Sequence, residues 1–91
     1  MVAYSNLARA NQFLFKYEEA LTYYQKAYAL LQLQQDNNFI YVIALRIAEV
    51  KLQMKDIDEA IDYFELVEFD ELSPHYHESY ISLLNALNLE Q

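Results

Sequence analysis

Along most of the chain, apolar or small residues return at every third or fourth place, with polar residues between them, the period of an amphipathic helix. Tyr4, Leu7, Ala8, Asn11 and Leu14 share one face, which predicts a helix from Val2 to about Leu14. Ala20, Leu21, Tyr24, Ala27, Tyr28 and Leu31 share the next, predicting a helix from Glu18 to about Gln34. The polar cluster QQDNN that follows predicts a loop or a frayed helix end. From Phe39 to Met54 the chain is apolar on nearly every side, as a helix enclosed by neighbours should be. Ile57, Ala60, Ile61, Phe64 and Val67 give the inward face of a helix over Ile57 to Phe69, with Asp56 as its cap and Glu59 three residues on. Ser73 and Pro74 supply a cap and a first-turn proline for a last helix reaching Leu89.

Two of these stretches repeat one phrase. YEEALTYYQKAY at 17–28 and IDEAIDYFELVE at 57–68 each place an alanine after two acidic residues and an aromatic four further on. The first helices repeat as well: Tyr4-x2-Leu7-Ala8, Ala44-x2-Ile47-Ala48, then Tyr80-x2-Leu83-Leu84. The second helices read Ala20-x3-Tyr24 and Ala60-x3-Phe64. Ala8 and Ala20 are twelve residues apart, as are Ala48 and Ala60. Small residues at both places let the two helices of a hairpin approach closely, while Tyr24 and Phe64 fill the space towards the next unit. Ala20→Leu or Ala60→Leu is expected to overpack its pair and cost about 1–3 kcal/mol, read as a lower urea midpoint.

This pattern resembles the tetratricopeptide family, in which a Trp-x2-Leu-Gly-x2-Tyr helix precedes one carrying Ala-x3-Phe. The resemblance implies an all-α fold, a helix–turn–helix repeat array of five helices wound as an α-solenoid. It spans residues 1–91 as one domain, with units at about 2–36 and 39–72 and a half unit at 74–89. Three features depart from the pattern. The spacing of forty residues exceeds the usual unit, so a second helix or the loop after it is about six residues longer. Phe15 and Lys55 stand where the turn glycine is usual, and Asn11 and Lys51 where an aromatic is expected late in the first helix. The longer spacing is similar to that of repeats in pheromone-sensing regulators of Gram-positive bacteria, which bind short peptides.

Composition agrees with helices and removes several function classes. Glycine is absent and Pro74 is the single proline, which argues against hairpin turns and for helices with short connections. The longest apolar run, FIYVIAL at 39–45, stops at Arg46, short of the ~20 residues that span a bilayer. The N-terminal stretch lacks the apolar segment of a signal peptide, so a cytoplasmic location is expected. With no cysteine, thiol chemistry is excluded. The net charge is −8, and eight of the fourteen acidic residues fall between Asp56 and Glu71. Such a chain repels phosphate backbones and anionic headgroups, so neither nucleic acid nor a membrane is an expected partner.

Signatures of catalysis are missing: no glycine-rich phosphate loop, no cysteine nucleophile and no Glu-x-x-His pair. Neither enzymatic activity nor a cofactor is therefore expected. His75, His77 and Glu78 are the one cluster of metal-ligand types, too few to close a site, and the histidines read as surface residues. A metalloenzyme built on them would retain stoichiometric metal through purification. Asp58, Asp62 and Glu65 share a narrow sector facing away from the core stripe, so a solvated outer face accounts for them. Tyr24 and Tyr28 lie on the inward stripe, which favours packing over base stacking.

The family resemblance also implies where a partner would sit. Its first helices line a concave groove that holds a protein segment or peptide. The matching positions are Ser5, Asn6, Arg9 and Gln12, then Leu45, Arg46, Glu49 and Gln53, then Glu78, Ser82 and Asn85. Asn, Gln and Arg side chains offer donors in fixed planes and suit a peptide backbone or carboxylate. Family members that grip chaperone tails use Lys and Asn on the first helix, Asn on the second, and Lys and Arg on the third. At the matching positions stand Ser5 and Arg9, Arg46, and Glu78 and Ser82; Glu78 would repel an acidic peptide, which disfavours that subtype. Leu84 and Leu87 continue an apolar stripe at the end of the chain. They are expected to need cover from a partner, from a second copy in a homodimer, or from further helices if the chain is a fragment. The start at Val2 and Tyr4 fits a fragment too. Sedimentation at several concentrations separates self-association from the rest.

Overall fold

The computed structural model describes residues 2–35 and 37–88. Within them the chain forms five α-helices and no strand: α1 Val2–Phe13, α2 Tyr17–Gln34, α3 Asn37–Gln53, α4 Ile57–Glu65 and α5 His77–Ala86. Short 3-10 turns at Phe69–Glu71 and Pro74–Tyr76 bridge α4 to α5. Neighbouring helices pack in chain order, α1 on α2, α2 on α3 and α3 on α4. The result is the expected array of stacked helical hairpins.

The alanine pairs sit where small residues are needed. Ala8 and Ala20 are fully buried in one core cluster, which also holds Tyr24, Ala27 and Leu31 from α2 and Ile43, Ile47 and Val50 from α3. Ala48 and Ala60 are fully buried in the other, with Val42, Phe64, Val67, Tyr80 and Leu83. Helix α3 thus contributes to both clusters, which is why it is apolar on nearly every side. Phe64 stacks on Tyr80 of α5 with ring centroids 4.6 Å apart. Tyr28 of α2 meets Tyr63 of α4 edge-on at 6.5 Å, tying the second helices together.

Both hairpins close by the same turn. Phe15 and Lys55 adopt left-handed backbone, with φ of 63° and 66°. Lys16 N–H bonds to Asn11 C=O and Phe15 N–H to Gln12 C=O; forty residues on, Asp56 N–H bonds to Lys51 C=O and Lys55 N–H to Leu52 C=O. These paired bonds are the glycine-type helix stop, made here by residues that carry a Cβ. The turn conformation is therefore kept without glycine. Lys55→Gly, at an exposed position, is expected to raise stability by about 0.5–1 kcal/mol, seen as a higher urea midpoint with unchanged slope.

Several sequence expectations need correction. On α1, Leu7 and Leu14 are exposed, and the buried strip runs through Ala8 and Gln12. This helix packs chiefly on α2, so its far flank faces outward, and Leu14 lies past its end in the turn. Helix α4 stops at Glu65, four residues before the expected Phe69. Glu65, Glu68, Asp70 and Glu71 would crowd negative charge at the negative end of a longer helix. Phe69 instead stacks on His77 at 4.3 Å and packs at a tilt against Tyr80 at 4.8 Å. Ile57, in the first turn of α4, is exposed. Asp56 does cap that helix, accepting a hydrogen bond from Glu59 N–H at 3.4 Å. Hydrogen bonding with Glu59, chiefly through its side chain, and the Lys51 ammonium hold the Asp56 carboxyl below the usual carboxylate range.

The added length is distributed unequally: α2 has eighteen residues and α4 nine, the remainder of the second unit being the irregular segment before α5. Asn37 is already helical, so the predicted QQDNN loop shrinks; its Asp36 lies outside the described residues, as does the expected helix end at Leu89. Ser73 caps the last segment as expected, accepting from His75 N–H at 3.5 Å, but Pro74 opens a 3-10 turn and α5 begins at His77. His77 is not the surface residue expected. It is half-buried, and its Nε2 lies 3.0 Å from Leu72 C=O.

Candidate binding groove

The first helices α1, α3 and α5 enclose a cavity of about 390 Å³. Its α1 side is Arg9, Gln12 and Phe13, with Phe15 from the turn beyond. Helix α3 contributes Glu49, Leu52 and Gln53, and α5 contributes Ser79, Ser82, Leu83 and Ala86. A smaller cavity of about 180 Å³ adjoins it at Arg9, with Ser5, Asn6, Tyr24, Phe39, Val42, Ile43, Arg46 and Tyr76 around it. The i, i+4 spacing of Ser5, Arg9 and Phe13 and of Glu49 and Gln53 puts these side chains on one face of each helix.

The polar side chains predicted to meet a partner are first of all bonded to one another. Arg9 Nη1 donates to Gln12 Oε1 at 3.0 Å and reaches Glu49 Oε1 at 3.4 Å. Gln12 Nε2 donates to Gln53 Oε1 at 3.0 Å, and the Tyr24 hydroxyl donates to Gln12 Oε1 at 2.9 Å. Arg46 Nη1 bonds both oxygens of Glu49, at 3.0 and 3.2 Å. Helix α1 is therefore joined to α3 by a polar network along the groove floor, with α2 attached through Tyr24. Burial raises the Tyr24 phenol above its ordinary pKa, outweighing the lowering by Arg9 and Arg46, so it keeps the proton it donates.

The structure brings Arg9, Gln12, Arg46, Glu49 and Gln53 together, and places Ser82 across the larger cavity. Gln12 is only 5% exposed and serves the floor more than the opening. Ser5 and Asn6 border the smaller cavity. Asn85 is exposed and borders neither cavity, and the same holds for Glu78; on α5 it is Ser79 that shares the cavity wall with Ser82. Leu45, matched to the groove by register, is fully buried in the core. Leu87 is 7% exposed within the chain's own core cluster, and Leu84 is half-buried against it. Leu87 lies four residues after Leu83, on the face of α5 that joins this cluster.

Sequence reasoning overlooked the apolar wall: Phe13, Phe15, Leu52 and Ala86. Phe13 is 67% and Phe15 74% exposed, and the Arg9 guanidinium carbon lies 4.7 Å from the centre of the Phe13 ring. Extending the Ser5–Arg9 stripe by one turn reaches Phe13, a signal present in the spacing. The same step from Ser82 reaches Ala86, whereas Phe15, in the turn, carried no such signal.

Among the described residues no helix is long and apolar enough to cross a membrane, and no group of three or more metal-ligand residues is gathered. His75 packs edge-on against Tyr76 at 5.2 Å. Comparison with curated proteins and with solved structures returned no match. The model of the tetratricopeptide repeat family matches residues 2–37 and again 42–67, about two repeats. These segments cover more than half of the chain, take in the first hairpin and most of the second, and contain both alanine pairs; the chain belongs to the tetratricopeptide repeat family.

Proposed function

We propose that the chain is a non-catalytic scaffold that binds a protein segment or peptide in the groove between α1, α3 and α5. Tetratricopeptide repeats serve protein interaction in general, and the family is usually non-catalytic. The observation that carries the finer reading is the 390 Å³ cavity itself, within the usual range of ligand pockets and open between three helices. It sets exposed aromatic rings beside amide and guanidinium groups, the combination that anchors a side chain and aligns a backbone.

Peptides selected on the wild-type chain from a displayed random library provide the probe. Arg9→Ala with Arg46→Ala should weaken a selected peptide roughly tenfold or more, since each removes donors at the groove. The melting temperature should fall only a little, with most of the loss from Arg46, since the more exposed Arg9 pair contributes about 1 kcal/mol or less. Normal binding by the double variant would contradict the assignment. Self-association through Leu84 and Leu87 is the weaker reading, since Leu87 is already buried within the chain. A monomer at all concentrations in sedimentation would remove it.

A further inference from the structure

We propose that the groove selects an extended peptide segment in which an acidic side chain lies within two residues of a bulky apolar one, Phe, Tyr or Leu. This rests on the groove reading above and adds the chemistry of its occupant. Charge is distributed unevenly over the chain. Its net charge is −8, yet Arg9 borders both cavities and Arg46 the smaller one. The acidic residues of α4 and of the segment after it border neither, and among the described carboxylates only Glu49 does. That single carboxylate is shared by Arg9 and Arg46, so the local balance is positive.

The two arginines are not equivalent. Arg46 is largely enclosed, holds both Glu49 oxygens, and lies 5.6 Å from the Tyr76 ring centre. It braces the floor. Arg9 is 36% exposed; its bonds to Gln12 and Glu49 both run through Nη1, the latter a long 3.4 Å, and it also interacts with the Tyr24 hydroxyl. A guanidinium carries five donors in a fork that matches a carboxylate, so Arg9 retains capacity for one. It also borders both cavities, beside the Phe13 ring. An acidic side chain held at Arg9 would therefore have the apolar wall of Phe13, Leu52 and Ala86 next to it, with room for one large side chain. A basic side chain there would face the exposed Arg9 guanidinium and be disfavoured. Glu78, which the sequence placed in the groove as a repelling charge, borders neither cavity.

The test uses a displayed random 12-residue library whose peptides have no free C-terminus, so that a side-chain carboxylate is distinguished from a terminal one. Selected peptides should carry Asp or Glu within two residues of Phe, Tyr or Leu. In fluorescence anisotropy, Asp→Asn or Glu→Gln in the peptide should cost roughly tenfold in affinity, and Arg9→Gln in the protein a similar factor. Together the two changes should cost little more than either alone. Ser82→Trp, which fills the cavity from α5, locates the binding independently of Arg9. Peptides blocked by Ser82→Trp but lacking an acidic residue, or indifferent to Arg9→Gln, would overturn the inference and leave the groove reading standing. Peptides indifferent to Ser82→Trp, or no enrichment at all, would overturn both.

Discussion

Phe64→Ala should destabilise the domain by about 3–5 kcal/mol, the range for deleting a buried aromatic ring. Phe64 is the aromatic four residues after Ala60 in the second repeated phrase, 4% exposed. Its ring stacks on Tyr80, which in turn packs on Phe69, which packs on His77. Removing it opens a void at the head of this ladder, where the ten-residue α5 packs on the core. Because α5 supplies one wall of the groove, a selected peptide should lose affinity along with stability. A domain of this size has about 5–15 kcal/mol in total, so the variant should show a greatly reduced urea midpoint by circular dichroism. A loss below about 1 kcal/mol would mean that the ring is not buried as described.

Tyr24→Ala, at the equivalent place forty residues earlier, should also cost about 3–5 kcal/mol. Tyr24 is 1% exposed in the cluster joining α1, α2 and α3. Here the ring has a second duty, since its hydroxyl donates to Gln12 and so reaches the floor network. Tyr24→Phe separates the two contributions. Loss of the hydroxyl alone should cost about 0.5–1.5 kcal/mol, because Gln12 Oε1 still accepts from Arg9. The difference between Tyr24→Ala and Tyr24→Phe is then the packing share. Equal losses for the two would show that the polar contact dominates.

The repeated core was legible in the sequence because small and aromatic residues at fixed spacing leave few ways to pack. Ala8, Ala20, Ala48, Ala60, Tyr24 and Phe64 all lie where that spacing placed them. The end of α4 was not legible. Periodicity carries on through Val67 to Phe69, and only the acidic run against the helix dipole, together with the pull of Tyr80 and His77 on Phe69, ends the helix at Glu65. Nor does apolar character say how far a helix is covered: Leu7 and Ala8 are neighbours on α1, one exposed and one fully buried. At the groove, register brought the right polar residues to the right face. It could not show that Arg9, Gln12, Glu49 and Gln53 would bond one another across two helices, since that depends on how closely the units stack.

Amide chemical-shift mapping by NMR with a library-selected peptide tests the groove most directly. Shifts on Arg9, Phe13, Gln53, Ser79 and Ser82, with little change at Asp58, Asp62 and Glu65 on the outer face of α4, are the result expected. Shifts concentrated on α4, with α1, α3 and α5 unmoved, would contradict it.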